Sequence, residues 1–268
     1  MIAAYRLLLH PLIASMLSLG EQSSSIVRRV AILAAAPLSY WAFVRYYERR
    51  KAHELALRWR WTLIAAAAGA LSIGVTILAL YATGHYQFVA FRGFGQAPGV
   101  LGLIWIAAVI EELTFRGILF RIFEETIGTR AALVVSATIF SVAHLANNGF
   151  RWVTLLSVTL AGLMWAGVFI LSRNIWVTAA HHACWNATIF LIGVPLSGED
   201  WAAQAPLATV PHGPVLWTGG AFGPEDSLIN LAVCTAICAA LWRMALRRDR
   251  IVRGEVALPG RPVHHSSM

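Results

Sequence analysis

The stretch VLGLIWIAAVIEELTFRGILFRIF, residues 100–123, decides how this chain folds. It is long and apolar enough to cross a bilayer as one helix, which takes about 20 residues. Yet Glu111, Glu112 and Arg116 interrupt it near the middle. A carboxylate at that depth costs roughly 2.5–3.5 kcal/mol on insertion scales and more by other measures, so it has to be paired, protonated or useful. Glu112 and Arg116 stand at i, i+4 in the acid-before-base order that a helix favours. A charge-assisted bidentate contact would neutralise both. Glu111 lies about 100° round the helix from Glu112 and cannot share that contact. It is left as a carboxylate with no local partner, the group a general base or acid needs to be.

Composition extends the membrane reading to the whole chain. Of 268 residues, 58% are hydrophobic and 13% charged, against roughly 45–50% and 25% in soluble domains. The expected fold is all-α: a polytopic transmembrane helix bundle of about eight spans, at residues 2–19 (weak), 30–47, 61–83, 100–123, 131–147, 152–171, 174–193 and 227–246. A single membrane domain over 1–268 is expected. No cleavable signal peptide stands out, since Arg6 and His10 lie in the first segment and no small-residue cleavage site follows it.

The net charge of +8 is concentrated at 45–60 and 243–261, both flanking hydrophobic spans. Loops of that kind stay on the cytoplasmic side. Segment 194–226 contains no Lys or Arg and belongs outside, where it would cap the outer mouth or help select substrate. Both termini are then expected inside. Only Arg28 and Arg29 fall on the wrong side of this scheme. No aromatic-basic platform accompanies the charge, so nucleic acid is excluded as a partner. Cys184, Cys234 and Cys238 read as small apolar core residues rather than a metal or redox set.

Further polar side chains fall inside neighbouring spans. Phe140 and His144 share a face of 131–147, and His182 and Asn186 share a face of 174–193. A His and an Asn one turn apart can aim two N–H donors at one point, as an oxyanion hole requires. His144 can help Glu111 orient and deprotonate a water. These are the parts needed to hydrolyse an amide. His181, next to His182, points elsewhere and reads as incidental. His10, His53, His85, His212, His264 and His265 read as interfacial or solvated.

The residues also form a pattern. Glu111-Glu112-Leu113-Thr114-Phe115-Arg116-Gly117 resembles the EExxxR motif of the CAAX prenyl protease and bacteriocin-processing (CPBP, or Abi) family. Phe140-Ser141-Val142-Ala143-His144 is similar to its FxxxH motif, and His182-Ala183-Cys184-Trp185-Asn186 to its HxxxN motif. The resemblance implies a glutamate-dependent intramembrane endopeptidase with its catalytic core at 100–193. In it, Glu111 and His144 would ready the water, His182 and Asn186 would hold the oxyanion, and Glu112, Arg116 and Phe140 would support the site. Its substrates would be membrane-associated proteins or peptides: prenylated C-terminal peptides, leader peptides or membrane-protein segments. Such an enzyme would need no cofactor. Zinc on Glu111, His144 and His182 is the alternative, and the absence of a His-Glu-x-x-His helix favours the metal-free form. The Arg-rich, almost Lys-free composition points to a prokaryotic plasma membrane. Two other classes compete. One is a non-catalytic scaffold or immunity-type factor that keeps the polar cluster for helix association. The other is a proton-coupled transporter, which would be expected to show internal repeats that this chain lacks.

Overall fold

The computed structural model describes residues 21–254. The expected first span, 2–19, lies outside them. The described chain runs α1 (Glu21–Ala42), a π-helical turn Phe43–Tyr47, α2 (Trp59–Ala82), β1 (Tyr86–Phe91) and α3 (Ala97–Glu112). A π-helical segment Leu113–Phe120 leads into α4 (Arg121–Ala143), then α5 (Trp152–Ser172) and α6 (Ile175–Leu191). Beyond these come β2 (Leu207–Pro211), the short α7 (Val215–Thr218) and α8 (Leu228–Arg247). This is the expected bundle of apolar helices.

Exposed apolar surface shows what solvent the bundle is built for. Along α2, Ile73, Ile77 and Leu80 are buried, whereas Ile64, Leu71, Val75 and Leu78 are 55–69% exposed. A soluble helix would carry polar residues on that outer face; here it is dressed for lipid. Among the described residues, three helices are long and apolar enough to cross a membrane: α2, α5 and α8. Two of the other helices are too short for this on their own: α3 has 16 residues and α6 has 17.

The rod that opens the quoted stretch runs from Ala97 through the π segment to Ile127. It ends at Gly128, whose φ of 79° is left-handed, a conformation glycine adopts without a Cβ penalty. A Cβ there would also lie 2.3 Å from the Gly254 nitrogen. The connection expected at 121–130 is therefore mostly helix, and the chain reverses at one residue. At its other end α4 stops at Ala143, short of the 147 expected, and His144 is its C-cap.

Hydrogen bonds gather the basic segments at one end of the bundle. Asn174 Nδ2 donates to the Ala56 carbonyl at 2.6 Å, Arg58 Nη1 to the Ser172 carbonyl at 3.1 Å and Arg173 Nη2 to the Arg250 carbonyl at 3.2 Å. The opposite end is covered by segment 194–226. There β2 pairs antiparallel with β1, with a register shift between Phe88 and Ala90. The sheet is an addition to the all-α expectation. Its strands are about 120 residues apart in sequence, so no local turn signal announces the pairing.

Candidate active site

The π segment sits where the motif acids meet Arg116. A π-bulge adds a residue to a helical turn and is frequent at functional sites. Here the Gly117 carbonyl is taken by the Tyr40 hydroxyl of α1 at 3.0 Å and by Arg121 Nε at 3.0 Å. A Cβ on Gly117 would come within 3.2 Å of the Tyr40 ring. α1 thus braces the distorted turn directly beneath the site.

Glu112 and Arg116 are buried, at 0% and 2% exposure. Arg116 Nη1 donates to Glu112 Oε1 at 3.1 Å, while Nη2 donates to the Gly162 carbonyl of α5 at 3.0 Å. The contact is single rather than the bidentate one expected, because α5 supplies the second acceptor. The guanidinium also lies over Phe140, 4.9 Å from its centroid, and within 6 Å of the Phe115 and Trp165 rings. Phe140 therefore helps form the floor on which Arg116 rests.

Glu112 has a second duty that the sequence did not show. His182 Nδ1 lies 2.8 Å from the same Oε1. A carboxylate oxygen that already accepts from Arg116 fixes the proton of neutral His182 on Nδ1, because the bond at one ring nitrogen sets the tautomer. Nε2 then faces outward with a lone pair, 3.9 Å from Glu111 Oε2. The N–H donor expected from His182 toward a reacting oxygen exists only in the imidazolium form. Trp165 stacks on the His182 ring at 3.6 Å and 21°.

His144 obeys the same logic. Its Nδ1 lies 2.7 Å from the Phe140 carbonyl, which can only accept, so Nε2 is again the lone-pair nitrogen. Glu111, His144, His182 and Asn186 all line one cavity of about 460 Å³. Glu111 is not fully desolvated; its side chain is 32% exposed to this space. Placing His144 at a C-cap rather than within a helix lets it line the same cavity as Glu111 despite their different depths in sequence. His181 does not line the cavity. His53 and His212 are exposed, His85 is half-buried against Trp217, and His10, His264 and His265 lie outside the described residues.

Other wall residues were missed. Trp165 and Trp185 are both nearly inaccessible; the Trp165 indole N–H has no hydrogen-bond partner, the Trp185 N–H lies against the Glu225 carboxylate, and Asn186 Oδ1 is buried and unpaired. The cap contributes Ser197, Glu199, Trp201, Phe222 and Glu225 to the cavity. Ser197 holds a left-handed φ of 49°, and its N–H and hydroxyl donate to the Glu225 carboxylate at 2.7 and 3.0 Å. Burial pushes the Glu225 carboxyl up to about 7, against the downward pull of those Ser197 bonds. Beside it Asp226, fully buried at the mouth of α8, takes Arg151 Nη2 at 2.7 Å and the hydroxyls of Thr154 and Ser157. The sequence leads one to expect 194–226 to cap the outer mouth or select substrate but singles out no residue in it, because no motif marks these acids.

For zinc on Glu111, His144 and His182, no group of three or more His, Cys, Asp or Glu among the described residues is placed to hold a metal ion, and no step below runs through a metal.

Fold and site together define an integral membrane protein with a carboxylate–imidazole cavity inside an apolar bundle. A protein-family comparison finds a likeness over part of the chain: the model described as "Type II CAAX prenyl endopeptidase Rce1-like" matches residues 93–188. That stretch contains all three motifs and bears out the resemblance they carry, to CAAX-type intramembrane proteases in general. Neither the curated proteins nor the solved structures gave a match.

Proposed function

We propose that this protein is an intramembrane endopeptidase that hydrolyses a peptide bond in a membrane-associated protein or peptide. The observation that carries the reading is the facing pair of Glu111 Oε2 and His182 Nε2, 3.9 Å apart at the wall of a cavity shared with His144 and Asn186. A water placed between two such acceptors gives each a proton at ordinary hydrogen-bond length. Glu111 draws one proton from this water as its oxygen attacks the scissile carbonyl and relays it to His182 Nε2. His182, now the imidazolium beside Glu112 and Trp165, donates from Nε2 to the tetrahedral oxyanion with the Asn186 amide, and yields that proton to the amine nitrogen as the C–N bond breaks. The buried Trp165 indole N–H and Asn186 Oδ1 add support. A donor and an acceptor left unpaired in the wall are costly, and an extended peptide backbone offers a partner to each. A scaffold would require the Glu112–Arg116–His182 network but no such unpaired wall.

The basic segments that gather at one end of the bundle support a cytoplasmic face there, which we take to be that of a prokaryotic plasma membrane with both termini inside. The test compares membrane proteomes of cells carrying wild-type and Glu111→Gln protein, together with cleavage by the purified proteins. The variant should stay folded and membrane-inserted and lose about 10²–10⁴-fold in rate, the usual worth of a general base. Chelators should leave wild-type activity unchanged. Full biological activity of Glu111→Gln would establish the scaffold instead.

A further inference from the structure

A second cavity, of about 290 Å³, opens between α4, α5 and α8 and shares no lining residue with the one that holds Glu111 and His182. Leu163 to Ile170 on α5 and Cys238 to Ala245 on α8 wall it for about two turns, roughly 10 Å of rise. Gly167 keeps α5 close to α8 along this wall; a Cβ there would fall 3.1 Å from the Leu241 side chain. Val134 of α4 lines the groove and is 64% exposed, so the slot opens on the lipid-facing surface. Its one charged lining residue is Arg130. Arg121, Arg173 and Arg50, at the same end of the bundle, each hold a carboxylate. Arg130 is exposed and makes no ion pair or hydrogen bond among the described residues. It also lines an adjoining polar cavity of about 890 Å³, where the other charges are Arg253 and Asp249, both exposed. Two arginines face one aspartate there, so Arg130 stands where an apolar slot meets a cationic one.

We infer that an anionic phospholipid occupies this groove, with an acyl chain between α4, α5 and α8 and its phosphate on Arg130. Basic pockets between membrane helices at the cytoplasmic side receive such headgroups, and a guanidinium grips phosphate through two parallel N–H bonds. Other occupants match the lining less well. A free anion would leave the apolar slot empty. A zwitterionic lipid would bring a cation of its own to Arg130, and an apolar helix would bury that charge without a partner. The site lies apart from the catalytic cavity and does not depend on the peptidase reading.

The experiment titrates the full-length protein in detergent with phosphatidylglycerol and with phosphatidylethanolamine of the same chains, counting bound lipid by native mass spectrometry. One phosphatidylglycerol should bind about tenfold tighter than phosphatidylethanolamine. Arg130→Gln should remove that advantage, about tenfold being the worth of one charge-assisted contact, and Arg130→Lys should keep part of it. Val134→Trp, which fills the slot from an exposed position, should weaken both lipids. Arg45→Gln removes an exposed arginine of the same end that does not line the groove, and should change nothing. Arg130 and Val134 are exposed, so lipid-free thermal midpoints should match wild type; if one variant loses stability, the other decides. Equal binding of the two lipids, equal losses in Arg130→Gln and Arg45→Gln, or unchanged binding in Val134→Trp would overturn the inference. A dimer in lipid-free detergent that Val134→Trp dissociates would also overturn it, giving the groove to a second copy of this chain.

Discussion

Glu112 Oε1 accepts from Arg116 and His182 at once, so one atom joins the buried cation to the imidazole of the site. Removing one partner of a buried pair strands the other charge and costs about 3–5 kcal/mol. Arg116→Met should therefore lower the thermal midpoint in detergent sharply, and Glu112→Gln combined with Arg116→Met should recover most of it. The double variant should stay poorly active, because a neutral Gln no longer secures the Nδ1-protonated tautomer. Recovery of activity along with stability would show that Glu112 serves Arg116 alone. Glu225 titrates differently. Its carboxyl sits at about 7, above the ordinary 4.5, so the fold holds its proton more tightly than the unfolded chain does. That contribution is fully present below 4.5 and is lost as pH rises through 7, on the order of 3 kcal/mol in all. Thermal scans from pH 5 to 8 should show wild-type stability falling with pH, and Glu225→Gln should flatten the slope. The Glu112–Arg116 pair was legible in sequence, being four residues apart on one helix. The bond from Glu112 to His182 was not, because i, i+4 reasoning cannot see across 70 residues.

Helix packing brings the motifs within reach of one another. α2 and α6 meet where Gly69 lies against the backbone of His181; a Cβ on Gly69 would fall 2.0 Å from the His181 carbonyl oxygen. Small residues let transmembrane helices approach this closely. Gly69→Ala should push α6 outward, displace the neighbouring His182, and reduce both activity and thermal midpoint. Gly74→Ala, one and a half turns along the same helix with nothing within 4 Å of its new Cβ, should leave both intact. Equal effects at the two positions would mean that glycine content rather than the α2–α6 approach matters. Apolar periodicity placed these helices well because a span must be continuous and apolar. Their ends were harder. The reversal at Gly128 came inside a sequence that stays helical on both sides, and the β1–β2 pairing depends on segments that no local pattern links.

Across the whole molecule the two ends differ in chemistry. At one, Arg50, Arg58 and Arg173 are tied to carboxylates and carbonyls of neighbouring segments; Arg50 bonds Glu48 and Glu54, and Arg173 bonds Glu124. At the other lies the cap, whose residues 194–226 carry acids and tryptophans but neither Lys nor Arg. The positive-inside rule counts basic residues near span ends, so the first end is expected to face the cytoplasm and the cap to face out. The cavity is lined by the cap as well as by α3 and α6, and a substrate segment would reach it from the outer leaflet side. This is decidable with single cysteines in a background where Cys184, Cys234 and Cys238 are replaced. Asp200 and Lys51, both exposed, report the two ends. A membrane-impermeant maleimide should label Asp200→Cys in intact bacterial cells and Lys51→Cys only after lysis. The reverse pattern would put the cavity on the cytoplasmic side and hand it cytoplasmic substrates. Arg28 and Arg29, the pair that sequence counting places outside, would then be on the side the rule prefers, at the expense of every other basic cluster in the chain.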